Sequence, residues 1–358
     1  MRKIYFLLII VVIMPLFAIN CSADDGVDGY ISDFEDILPD GFEGLSDTDN
    51  LMEMADLSAL IYEAVRVLSE GKGDIVGFFF TLLGSAALMS VGSICHDKLS
   101  GAVQTSVGVV SSVLIFTSIT PLINMVGDTI VKISEFFTSL IPITVGISAL
   151  GGGITTAGVQ GSGMYAALSL IGGIGGRIFL SLSSFGLALS LLSAFSGDGI
   201  ASVYRGFRGL FAWVTGIFTA LITAAFSLQT LVASAADSAA MRAVKYAASG
   251  LIPVVGSTVS GAISTLATGL AYARGVVGGG SIVVILYMAL SPMVMLLAYR
   301  LSLSLVIILS DFMGTGVASR VFSAYRFSLD MTITVYALSA LIYLFEIVII
   351  TMMGVAIS

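Results

Sequence analysis

Apolar runs of about twenty residues recur along this chain, and their spacing predicts its elements before any composition is counted. Helical spans are expected at Ile75–Ile94, Ala102–Val126, Phe136–Ala157, Met164–Ala194, Leu210–Ala233, Leu251–Tyr272, Ser281–Leu309 and Thr332–Val355. The third is interrupted by Pro142 and by Gly151, Gly152 and Gly153. The sixth is rich in Ser, Thr and Gly and would insert weakly alone. Both are candidates for broken or re-entrant helices, which membranes tolerate only where protein or water satisfies the freed backbone groups. The pattern therefore predicts an all-α, polytopic integral membrane protein with six to eight transmembrane or re-entrant helices.

Ahead of these spans the pattern changes twice. Residues 1–23 carry Arg2 and Lys3, an apolar run and small residues at Cys21 and Ala23, the layout of a secretory signal peptide cut after Ala23. Acylation at Cys21 and retention as an uncleaved first helix are the alternatives, and in all three the next region starts outside the cytoplasm. Residues 24–74 form a short acidic extracytoplasmic region, expected to be a solvated, partly disordered linker to about Asn50. A helix then follows from Leu51 to Ser69. Leu51, Met54, Ala55, Leu57, Ile61, Val65 and Leu68 fall near one face of it. That face needs a partner: the membrane surface, another subunit or the chain's own membrane domain, residues 75–358. Its acidic opposite face disfavours the membrane surface.

Composition sharpens the class. At 57% hydrophobic and 11% charged residues, with a mean hydropathy of +1.05, the chain is more apolar than a soluble domain, which runs at roughly 45–50%. The net charge of −8 is unevenly spread. Residues 24–74 hold fifteen acids and two bases, and residues 75–358 hold eight acids and eleven bases. An acidic segment repels nucleic acid and anionic lipid, so nucleic acid is not an expected partner. Two cysteines and one histidine cannot build a disulfide framework or a metal site, and no cofactor is expected. The chain contains no GxSxG, HExxH, GxxxxGK[ST] or CxxC motif, so a non-enzymatic role is expected.

The most distinctive stretch runs from Leu228 to Pro292. Asp237, Arg242 and Lys245 follow one apolar span, Pro253 and Gly256 break the next, and a Gly-rich hinge at Gly278, Gly279 and Gly280 precedes a third that reaches Pro292. Arg242 and Lys245 sit three apart with Met241, Val244 and Tyr246, and Arg274 lies beyond the IPVVG span. Topological anchors and a docking surface both fit these bases. Arg177, in GGIGGRIFL, and Glu346, in YLFEIVII, are the deep intramembrane charges. They read either as a pathway-lining pair or as separate residues, one snorkelling and one hydrogen-bonded between helices. Small residues are dense, with GxxxG at Gly172/Gly176 and Gly275/Gly279, which favours close helix packing within the chain or in a homo-oligomer.

In order, Leu228-Gln229, the turn bearing Asp237, the basic-aromatic Arg242, Lys245 and Tyr246, Ile252 to Gly256, Val276-Val277-Gly278 and Leu290 to Pro292 resemble the stage III sporulation protein AE family. The leader, acidic region and succession of spans extend the resemblance over nearly the whole chain, although residues 301–326 show no clear family motif. The resemblance implies a membrane subunit of the sporulation channel complex that joins mother cell and forespore across two membranes. It would act as pore or assembly platform in the mother-cell membrane around the forespore. Implied partners are the lipid bilayer, other membrane subunits, ring-forming proteins and an ATPase. A secondary transporter of a small solute, using Arg177 and Glu346 near the midplane, is the other reading of the same residues.

Overall fold

A computed structural model describes residues 28–45, 47–94, 97–150, 154–169, 180–193, 203–204, 206–224, 227 and 256–353. The described residues form helices and turns without strands. We number the helices α1 Asp28–Asp36, α2 Thr48–Ala55, α3 Leu57–Glu70, α4 Lys72–Ile94, α5 Asp97–Leu150, α6 Ile154–Ser169, α7 Leu180–Ser193, α8 Gly206–Ala224, α9 Gly256–Phe312 and α10 Gly316–Met353. Five of them, α4, α5, α8, α9 and α10, are long and apolar enough to cross a membrane.

Helix α10 is the spine of the bundle. Two-thirds (67%) of its most apolar window is buried, against 22–39% in the other four candidate spans. It runs antiparallel to α9, meeting it at Arg300–Asp330, Ala289–Tyr336 and Gly278–Thr351. It runs parallel to α5, meeting it at Ser112–Tyr325 and Ser134–Tyr343. The α9–α10 turn depends on Gly314 at φ +72°, where the amides of Met313, Gly314 and Thr315 return to Leu309, Asp311 and Ser310. A left-handed glycine that closes the last carbonyls of a helix is a common stop signal.

Several expected breaks are absent. The second span and the third as far as Leu150 merge into the 54 residues of α5, with Pro121 and Pro142 inside the helix, whereas Gly151, Gly152 and Gly153 lie outside the described residues and Ile154–Ala157 belong to α6. The sixth span from Gly256 and the seventh merge into the 57 residues of α9, with Pro292 inside. Pro121 and Pro142 both occupy exposed positions on α5, where no neighbour confines the local adjustment a proline demands. The charged stretch between the two halves of α5 contains Asp128, Lys132 and Glu135, all exposed, and no strong breaker. It interrupts hydropathy without interrupting the helix. At 1.5 Å per residue, α5 and α9 each rise roughly 80 Å, well beyond the ~30 Å of a hydrocarbon core. The expected hinge at Gly278–Gly280 is likewise helical. The expected span Met164–Ala194 is helical over Met164–Ser169 in α6 and Leu180–Ser193 in α7, and residues 170–179 lie outside the described ones.

The acidic region is also more ordered than a linker. From Asp28 it folds as α1 to α3 against the membrane helices, with Phe34, Leu45 and Leu51 fully buried. Phe42 meets Tyr287 of α9 edge to face at 5.9 Å, and the Tyr287 hydroxyl donates to the Met54 carbonyl at 3.1 Å. Two glycines make the approach possible. A Cβ on Gly146 of α5 would stand 2.8 Å from the Tyr30 ring, and one on Gly280 of α9 would stand 2.8 Å from the Phe34 ring.

The single helix expected over Leu51–Ser69 is divided at Asp56, which is extended (ψ 139°) and accepts a hydrogen bond from the Ser58 hydroxyl. That bond holds the Asp56 carboxyl below its ordinary pKa. Helix α3 packs against α9 and buries Val67, and Leu57 (69% exposed), Ile61, Val65 and Leu68 face outward. Part of the predicted apolar face is therefore turned away from the bundle.

The seam at Gly278 yields a direct test. A methyl group there would overlap Thr351 Oγ1 and lie 3.3 Å from Thr351 Cβ, so even a rotated threonine leaves the seam too tight. Gly278→Ala is expected to destabilise the protein by about 1–3 kcal/mol as overpacking. Gly216→Ala on α8, with nothing within 4 Å, should be neutral or gain up to ~1 kcal/mol of helix propensity. Reversible unfolding in mixed detergent micelles compares the two.

Candidate functional site

Three tyrosines on one side of α10 organise the centre of the bundle. Tyr325, Tyr336 and Tyr343 are fully buried and spaced by eleven and seven residues, close to three and two helical turns. A buried phenol needs a hydrogen-bond partner, and each finds one on a different neighbour. Tyr325 donates to the Ser112 carbonyl of α5 at 2.8 Å, Tyr336 donates to the Ala289 carbonyl of α9 at 3.1 Å, and Tyr343 pairs with the Ser134 hydroxyl of α5. Phe137 packs on the Tyr343 ring at 4.9 Å. These bonds fix the register of α5 and α9 on α10. The sequence reading passed over them, although the spacing was visible as an aromatic stripe.

Above this ladder, Arg274, half-buried on α9, lines a cavity with Thr144, Met164, Gly278, Ile347 and Thr351. Its volume is about 10 Å³, room for about one water. The neighbouring Glu346 is fully buried on α10. Pro292 is buried within α9, and Gly256 is that helix's first residue. Arg177, Arg242, Lys245 and Pro253 lie outside the described residues, so the pairing of Arg177 with Glu346 and the break at Pro253 do too. A second hollow of about 330 Å³ opens between α8 and α10, with Ile222, Leu341, Phe345 and Ile349 along it and Thr219 and Thr223 on one wall. Both threonine hydroxyls donate to carbonyls of their own helix, which leaves an apolar groove. Among the described residues no group of three or more His, Cys, Asp or Glu side chains has a metal-binding arrangement.

Long apolar helices locked by small-residue seams and interhelical tyrosine bonds define an all-helical membrane protein. A family model described as stage III sporulation protein AE matches residues 75–355, and the chain belongs to that family. No curated protein and no solved structure matches the chain. The match begins after α1–α3, so the docked acidic region lies outside it.

Removing single hydroxyls tests the ladder. Tyr325→Phe and Tyr336→Phe keep ring volume, and each is expected to cost about 0.5–1.5 kcal/mol, nearer the lower figure in a membrane setting. The two sites are roughly 16 Å apart along the helix, so the losses should add within ~0.5 kcal/mol in reversible unfolding of the single and double variants.

Proposed function

We propose that this chain is a non-enzymatic membrane subunit of the complex joining mother cell and forespore, and that it serves chiefly as an assembly platform. Membership of the sporulation family over residues 75–355 carries the reading. The close packing of the described helices supports the platform role over a passage through one chain. The enclosed cavity holds about one water, and the larger hollow is a lateral, apolar groove. Any passage is then formed between subunits, in the mother-cell membrane that surrounds the forespore, with ring-forming membrane proteins and an ATPase supplying the remaining parts. A secondary transporter calls for a polar, solute-sized site among its helices. Neither the small cavity at Arg274 nor the groove beside α8 is a site of that kind, which favours the subunit reading.

Deleting the chain from an endospore-forming host is expected to arrest sporulation after engulfment and leave vegetative growth unchanged. Affinity purification from sporulating cells should recover further membrane subunits. Slow vegetative growth, or saturable binding of a small solute by the purified chain, would favour the transporter instead.

A further inference from the structure

Away from the tyrosine ladder, three helices bring arginines to one level of the bundle. Phe327 and Asp330 lie three residues apart on α10 and so share a face. Arg208, in the first turn of α8, holds its guanidinium carbon 5.1 Å from the centre of the Phe327 ring. Arg300 of α9 donates from Nε to the Asp330 carboxylate. Arg326 precedes Phe327 on α10. Tyr204 closes the group, donating to the Ala324 carbonyl at 3.1 Å and packing edge-on against Phe327 at 5.4 Å. Its phenol lies within electrostatic reach of Arg208, Arg326 and Asp330.

Two properties distinguish this cluster from scattered surface charge. The group holds three arginines and one carboxylate, which meets Arg300, so its formal charge is +2. Arg208 and Arg300 are exposed and Arg326 is half-buried, so the guanidinium groups are reachable. Secondly, the uncharged stretches of α8 and α10 end here, 209–224 and 331–345, and Arg300 interrupts the apolar run of α9 at the same level, between 275–299 and 301–310. The cluster therefore marks the end of the uncharged stretch on α8 and α10 together, beside the one charge within the apolar run of α9. Basic residues at such a boundary meet the negative charge of lipid headgroups. Guanidinium forks match phosphate oxygens in geometry as well as charge, and an arginine oriented by a carboxylate or an aromatic face loses less freedom on binding.

We infer that Arg208, Arg300 and Arg326 form a binding site for a phosphate group, with Phe327 and Asp330 as positioning residues. An anionic phospholipid headgroup and a soluble phosphate share this chemistry, and the experiment separates them. The full chain, purified in a neutral detergent, is titrated in parallel with phosphatidylglycerol, phosphatidylcholine and inorganic phosphate, and its thermal unfolding is followed. Phosphatidylglycerol or phosphate should stabilise the wild-type chain and phosphatidylcholine should not. Stabilisation by the lipid alone assigns the headgroup, and stabilisation by phosphate at the same midpoint assigns a soluble source. Arg208→Gln and Arg326→Gln should each weaken the apparent affinity by about fivefold, and Lys132→Gln, at an exposed position on α5, should leave it unchanged. Equal stabilisation by phosphatidylglycerol and phosphatidylcholine with no response to phosphate, or equal loss in Lys132→Gln, overturns the site. Native mass spectrometry of the wild-type chain from an equimolar mixture of the two lipids needs no folded variant. Absence of phosphatidylglycerol enrichment, together with no phosphate binding, would also overturn it.

Discussion

Close backbone approach along the glycine-lined segment of α9 is the constraint on which the rest of the structure depends. Gly278 lies against Thr351 of α10 and Gly280 lies against Phe34 of α1, so one stretch of helix is clasped on two sides. In a lipid environment helices gain little from hydrophobic exclusion alone, and association rests on packing and interhelical hydrogen bonds. A side chain at either glycine would hold the neighbours apart. The tyrosine bonds of α10 depend on that spacing, because Tyr336 reaches a backbone carbonyl of α9 on the same seam.

This constraint explains why glycines that favour flexibility in isolation here accompany a continuous helix. Glycine costs about 1 kcal/mol in a helix interior because of the backbone freedom it surrenders. The cost is offset where its missing side chain admits a buried ring such as Phe34, worth about 1.5–3 kcal/mol when removed from water. The same exchange draws the acidic region onto the membrane domain. Phe34, Leu45 and Leu51 are fully buried, Tyr30, Ile31, Ile37, Leu38, Phe42 and Met54 pack against the same core, and its carboxylates are mostly exposed. The sporulation family's match begins after this region, so the clasp joins a family-wide membrane domain to a segment outside the match.

The function proposed for the chain agrees with such a core. Closely packed helices are suited to holding partners in place, and accessible chemistry among the described residues includes the apolar groove beside α8, the outward face of α3 and the arginines around Phe327. Of these, only the arginine cluster combines fixed geometry with a charge that names its ligand class.

The all-helical membrane class and the family were legible in the chain itself, because runs of twenty apolar residues and ordered short motifs are local properties. The existence of α4 was legible for the same reason, with its start expected at Ile75 and found three residues earlier at Lys72. The joining of two spans in α5 and in α9 was not, because proline, glycine and charge weaken a helix locally while packing from distant segments decides whether it continues. The tyrosine ladder was half visible as a spacing on α10, but its partners at Ser112, Ala289 and Ser134 are 213, 47 and 209 residues away. Only the tertiary structure could bring Arg208, Arg300 and Arg326 to one level, because that depends on the antiparallel register of α9 and the parallel register of α8 against α10, which no local pattern encodes.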